Sequence, residues 1–125
     1  MPGQKSRGRL AASFSFAFRG IVSLVRGQAN ARIHFAATIA VIGAGLFLGL
    51  TRLEWCAIVA AIGLVWTAEG LNTAIECVVD LVSPDQHPVA GRAKDIAAGA
   101  VLIAAIIAAI IGALVFIPHL AALRP

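Results

Sequence analysis

Residues 96–117, IAAGAVLIAAIIAAIIGALVFI, run for 22 positions without a charged or hydrogen-bonding side chain. About 20 apolar residues suffice for a helix to cross the ~30 Å hydrocarbon core of a bilayer, so this stretch reads as a membrane span. Upstream, residues 55–81 form a second apolar run beginning at Trp55, and residues 33–50 form a third that lacks Lys, Arg, Asp and Glu. Three spans follow, joined by a short turn, Thr51 to Glu54, and by a polar loop, 82–95. The composition agrees, because 60% hydrophobic and 13% charged residues with a mean hydropathy of +0.93 fall outside the range of soluble domains. A chain of 125 residues with three spans is a single integral membrane domain, 1–125, and any chemistry it performs takes place at the membrane.

The charge distribution sets the expected orientation. Lys5, Arg7, Arg9, Arg19, Arg26 and Arg32 precede the first span in a segment without acids, and Arg92 and Lys94 lie in the 82–95 loop. These eight face two, Arg52 and Arg124, on the other side, which places the N-terminus and the 82–95 loop in the cytoplasm under the positive-inside rule. The basic residues are not interleaved with aromatic or groove-reading motifs, so the net charge of +4 reads as topology and not as nucleic-acid binding. A cleaved signal peptide is rejected for the same segment, which is studded with Arg. Within the cytoplasmic arm, 1–32, Leu10, Phe14, Phe18, Ile21, Val22 and Val25 recur at helical spacing opposite Arg19, Ser23 and Arg26, predicting a surface helix over 9–26. Cys56 and Cys77 are too far apart on one helix to pair and read as small packing residues.

The second span holds the informative pattern. Glu69, Asn72, Glu76 and Asp80 are spaced by 3, 4 and 4 and share one face within an arc of roughly 80°. An ionised carboxylate inside a bilayer costs about 2.5 kcal/mol or more, and this helix has no Lys or Arg to offset it. Compensation must come from a proton, a metal ion, a cation on another segment, or access to water. At about 1.5 Å per residue from Trp55, Glu69 lies roughly 21 Å and Glu76 roughly 31 Å along the axis, one below and one at the cytoplasmic boundary. Two such depths suit a reaction between a water-soluble reagent and a membrane-dissolved one. Mg²⁺ takes one or two carboxylates plus phosphate oxygens, so Glu76, with Asp80, is placed to hold a nucleotide's metal. Burial favours uptake of a proton by a carboxylate, and Glu69 is placed to accept the proton of a lipid hydroxyl.

In the following loop, Ser83, Pro84, Pro88 and Gly91 are expected to interrupt the helix, and Asp85, His87, Arg92, Lys94 and Asp95 supply polar groups. Lys94 and Arg92 suit either phosphate binding or plain anchoring, Asp95 suits a cap for the third span, and His34 and His119 at span ends rank below His87 as ligands. Neither GxxxxGK[ST] nor GxGxxG occurs, which excludes a P-loop or Rossmann site.

The combination of EGLNTAIECVVD (69–80) with HPVAGRAKDIAAGAVLI (87–103), the amphipathic arm and the ARIH start of the first span (31–34) resembles the bacterial diacylglycerol kinase and undecaprenol kinase family of small membrane lipid kinases. The resemblance covers most of the chain. It implies ATP-dependent, Mg²⁺-requiring transfer of a γ-phosphoryl group to the hydroxyl of diacylglycerol or undecaprenol, by a homotrimer in the bacterial inner membrane with sites between subunits. Carried over by motif position, it implies Glu69 as base, Asn72 as a supporting active-site residue, Glu76 as a metal and ATP ligand, and Asp85, Gln86, His87, Lys94 and Asp95 as ATP contacts. Arg9 and Phe16 of the arm would lie near the nucleotide. One position departs from the family: where a metal-sharing Glu is expected in the arm this chain has Gln28, and no acid precedes Glu54. An amide oxygen is a neutral ligand, so the resemblance implies a weakened metal site. The readings that compete with an active kinase are a degenerate kinase and a non-catalytic helical assembly whose glutamates line a polar pathway. Ala100, Ala104, Ala108 and Gly112 form a small-residue ridge that would permit close helix packing between copies.

Overall fold

The computed structural model describes residues 2–124 and the side chains of 6–124. The Lys5 side chain, one of the counted charges, lies outside that description, as do Met1 and Pro125. The described residues form helices α1 (Pro2–Gly27), α2 (Ala29–Leu48), α3 (Arg52–Val82) and α4 (Pro88–Ala122). All four are long and apolar enough to cross a membrane by length and composition. The protein is an all-α integral membrane protein.

The element boundaries follow local chemistry more closely than hydropathy does. Gln28 alone separates α1 from α2, with extended backbone at φ −123°, ψ 130°, so Asn30 to Arg32 form the first turn of α2 and not the end of the arm. Arg32 donates back to the Arg26 carbonyl at 3.4 Å, satisfying one of the free acceptors at the end of α1. The end of α2 is set by Gly49, whose φ of 72° lies in the left-handed region that glycine enters without steric cost. The turn expected over 51–54 is a capping box: Thr51 Oγ1 accepts from the Glu54 amide at 3.2 Å, and the Thr51 amide donates to Glu54 Oε2 at 2.9 Å, so α3 begins at Arg52.

The polar loop is shorter than the expected 82–95. His87 caps α4, its Nδ1 accepting from the Val89 amide at 3.1 Å, and Pro88 takes the first helical position, where a missing N–H costs nothing. Gly91, Lys94 and Asp95 are therefore helical, and Asp95 is not the cap.

Helices α3 and α4 form an antiparallel pair pinned at both ends. Lys94 pairs with Asp80 at one end, and His119 meets Glu54 at 2.9 Å at the other. Between them Ile58, Ala61, Ala97, Ala104 and Val115 are buried. Alanines at 97 and 104, two turns apart, bring α4 close to the polar stripe of α3. Of the expected ridge, Ala104 is spent on this contact within the chain, Ala108 and Gly112 are half-buried, and Ala100 is exposed. Both cysteines are free and exposed on α3, so neither belongs to the core within the chain.

At the Glu54 end, Leu50, Ile58 and Val115 form a small core completed by Val41, Trp55 and Phe116. Trp55 lies flush against Gly45, where a Cβ would stand 2.7 Å from its ring and 3.0 Å from Leu50 Cδ1. Gly45→Ala is thus expected to destabilise the fold by about 1–3 kcal/mol through overpacking, read as a lowered thermal midpoint in detergent.

Candidate active site

The polar face of α3 is graded by burial. Glu69 is 2% exposed and Asn72 9%, whereas Glu76 is half-buried and Asp80 exposed. One helix face thus passes from an enclosed acid to a solvent-facing one, in the order that the sequence spacing gives. Asn72 Nδ2 donates to Glu76 Oε1 at 3.3 Å, joining the middle of the stripe. Three enclosed oxygens have no hydrogen-bond partner: Glu69 Oε2, Asn72 Oδ1 and Thr73 Oγ1. Buried polar atoms are usually paired, so three unpaired oxygens within two turns of α3 set this stretch apart from the rest of the helix.

Helix α2 closes the stripe at its deep end. His34 Nε2 lies 3.5 Å from Glu69 Oε2 and is the side-chain nitrogen that faces that carboxylate. A hydrogen-bonded clip sits beside it: Trp66 Nε1 donates to Thr38 Oγ1 at 2.9 Å, and Thr38 Oγ1 donates to the His34 carbonyl at 2.7 Å. The His34 and Trp66 rings meet edge to face at 6.3 Å. The sequence ranked His34 below His87, and the structure sets it against Glu69. Its signal was its position as the titratable residue inside the 33–50 run, where a group of that kind marks function by default. Its partner, 35 positions away on another helix, becomes visible only once α2 and α3 are packed.

At the other end of the stripe, α3, the 83–87 connection and the start of α4 enclose a cleft of about 620 Å³. Asp80, Asp85, Gln86, His87 and Lys94 line it, so four of the expected nucleotide contacts are brought together. Ser83 Oγ donates to the Asp85 carbonyl at 3.0 Å and shapes the turn. Lys94, outside the 96–117 span, is held by Asp80. That hydrogen bond raises its pKa above the ordinary lysine value despite some desolvation, with Asp80 and Glu76 adding attraction through space. The ammonium therefore keeps its charge throughout the neutral range.

Several expected residues are not brought to this cleft within one chain. Asp95 is exposed one position beyond Lys94 and does not line it, and no described residue of α1 does so. Arg9 and Phe16 are exposed on α1, where Arg19 covers the Phe16 ring at 5.6 Å. Gln28 makes no side-chain cap bond. The antiparallel register sets His34 against Glu69 and Thr38 against Trp66, and Gln28 stands just outside that helix, on the extended residue that precedes Ala29. Leu24 of α1 lies over Gly70, so the arm flanks α3 beside the stripe.

No group of three or more metal-binding side chains occurs among the described residues. The site nevertheless suits a hard cation bound mainly through phosphate and water, which needs only one or two protein carboxylates. Glu76 and the unpaired Asn72 Oδ1 supply oxygen donors of that type.

Residues 15–116 match the family described as prokaryotic diacylglycerol kinase. The chain belongs to the prokaryotic diacylglycerol kinase family. It is 46% identical over 112 residues to the undecaprenol kinase of Bacillus subtilis (strain 168), covering 90% of this chain and 91% of that relative. It is 43% identical over 115 residues to the diacylglycerol kinase of a Synechocystis strain, covering 91% of this chain and 66% of the relative. Identity to the diacylglycerol kinase of Escherichia coli (strain K12) is 30% over 102 residues, with coverage of 82% and 84%. As a member of this family the protein is a lipid kinase of the membrane, using ATP and a membrane lipid, and the graded stripe on α3 is read below in those terms.

Proposed function

We propose that the chain transfers the γ-phosphoryl group of ATP to the hydroxyl of diacylglycerol or undecaprenol, giving phosphatidic acid or undecaprenyl phosphate, with Glu69 as the general base. The observation that carries this reading is the continuous face from enclosed Glu69 to the Asp80–Lys94 cleft. A lipid hydroxyl enters at the deep end and a nucleotide at the shallow end. Glu69 takes the hydroxyl proton, the lipid oxygen bonds to the γ-phosphorus, and the bond to the bridging oxygen breaks with release of ADP. Phosphoryl transfer asks little covalent work of a protein, so positioning and charge neutralisation supply most of the rate.

Asn72 orients Glu76 through its amide and offers Oδ1 to the site. Lys94 neutralises phosphate, while Asp85, Gln86 and His87 shape the cleft around the nucleotide. Mg²⁺ held by Glu76 and Gln28 would offset the charge on the phosphates. Arg9, Phe16 and Asp95, which one chain leaves away from the cleft, act at a site shared between subunits of a homotrimer. The arm lies on the cytoplasmic face of the inner membrane, consistent with Arg7, Arg9, Arg19 and Arg26 along α1 and with its exposed Leu10, Phe14, Phe18 and Ile21.

Gln28→Glu would restore a charged ligand. It is expected to lower the Mg²⁺ concentration for half-maximal activity by about tenfold or more, the scale on which metal sites respond to a changed partner; an unchanged or higher requirement counts against a role for residue 28 in metal binding. The lipid is tested by measuring kcat/KM for diacylglycerol and undecaprenol in parallel in mixed micelles. Preference for either lipid assigns the acceptor, and turnover of neither contradicts the proposal.

A further inference from the structure

We propose that His34 is a positioning residue for Glu69: its Nε2 holds one carboxylate oxygen so that the other faces the lipid hydroxyl. The inference rests on the reading of Glu69 as proton acceptor. Glu69 Oε2 is enclosed and has no hydrogen-bond partner, and the nitrogen facing it is His34 Nε2 at 3.5 Å. Hydrogen bonds at active sites are commonly long without substrate and tighten in the reactive complex. With the proton of the neutral imidazole on Nε2, the ring donates to the carboxylate and fixes its rotation.

His34 is itself fixed. The bond from Trp66 to the Thr38 hydroxyl, and from that hydroxyl to the His34 carbonyl, ties this turn of α2 to α3. The edge-to-face contact with Trp66 sets the plane of the imidazole. His34 also borders an apolar groove of about 300 Å³ between α2, α3 and α4, walled by Val41, Ile62, Ala108 and Phe116. It therefore stands between an apolar slot in the membrane and the buried acid. During transfer His34 keeps its proton, and the proton of the lipid hydroxyl goes to the free oxygen of Glu69. A misplacement of about 1 Å in such a constellation costs about 10²-fold in rate, so a fixed carboxylate has kinetic value.

A packing role alone and a positioning role differ in their kinetics. The test uses the full-length purified protein in mixed micelles with ATP and its preferred lipid. His34→Phe and His34→Leu remove the donor and retain bulk, and assaying both guards against a folding failure in one. His34→Gln restores an N–H at the reach of Nε2. The expected result is a loss of about 10²-fold in kcat for the two apolar variants, recovery of at least about tenfold of it in His34→Gln, and an unchanged KM for ATP, because no α2 residue lines the nucleotide cleft. Near-normal kcat in a folded apolar variant overturns the inference, as does an equal loss in folded His34→Gln or a rise in KM for ATP that accounts for the loss. Glu69→Gln is measured alongside. If that variant turns over normally, the proton-acceptor reading fails and His34 has nothing to act through; if it is inactive while His34→Phe is normal, only the inference about His34 fails.

Discussion

Glu69→Gln is expected to lower kcat by about 10²–10⁴-fold, the range that a positioned general base contributes. The substitution keeps size and polarity while removing the negative charge and the ability to accept a proton. Glu69 is the most enclosed polar residue of the stripe, at 2% exposed, and lies away from the cleft bounded by Asp80 and Lys94. ATP binding should therefore survive, with the dissociation constant of a fluorescent ATP analogue within about twofold of the parent, less than the tenfold that 1.4 kcal/mol represents. Folding should survive too, because a neutral amide is cheaper to enclose than an ionised acid. A variant that retains high turnover would show that the lipid hydroxyl is deprotonated elsewhere; one that loses ATP binding would show that the two ends of the stripe are not separate.

Glu76→Gln should have the second largest effect, of a different kind. Glu76 sits at the boundary between the enclosed and open parts of α3 and is steadied by Asn72 Nδ2 at 3.3 Å. Loss of its charge removes the strongest oxygen donor available to a nucleotide-bound cation, because Asp80 is already engaged by Lys94. Activity at low Mg²⁺ should fall by at least about 10–100-fold, the scale seen for altered metal surroundings, and high Mg²⁺ should recover part of it. Glu69→Gln should show no such recovery. A Mg²⁺ titration of both variants thus separates a ligand from a base, and a parallel shift in both would contradict the assignment.

Much of this arrangement was legible in the chain because helical periodicity is local. Spacings of 3, 4 and 4 put Glu69, Asn72, Glu76 and Asp80 on one face whatever surrounds them, and the order of burial follows from their distance to the helix end. Asp85, Gln86, His87 and Lys94 meet in one cleft because a five-residue connection, 83–87, cannot carry α4 far from α3. Capping was harder to read. Asp95 looked like a cap from its residue type, yet the Pro88 ring favours the first helical position and His87 supplies the acceptor, so the helix starts a full turn and more upstream. The approach of His34 to Glu69 was hidden for a different reason: it is fixed by packing between helices, which periodicity within one helix does not encode. Periodicity is equally silent on Arg9, Phe16 and Gln28, none of which lines the cleft between Asp80 and Lys94 within the chain.

The central claim is that a buried acid on α3 serves a lipid while the cleft beside it serves ATP. It is tested most directly by following the label from γ-labelled ATP with purified protein in micelles containing diacylglycerol or undecaprenol. The account predicts lipid-dependent transfer of label into a chloroform-soluble phosphate product, lost in Glu69→Gln while nucleotide binding persists. Absence of labelled lipid with both acceptors across a wide range of Mg²⁺, from protein that is folded and binds ATP, would contradict it.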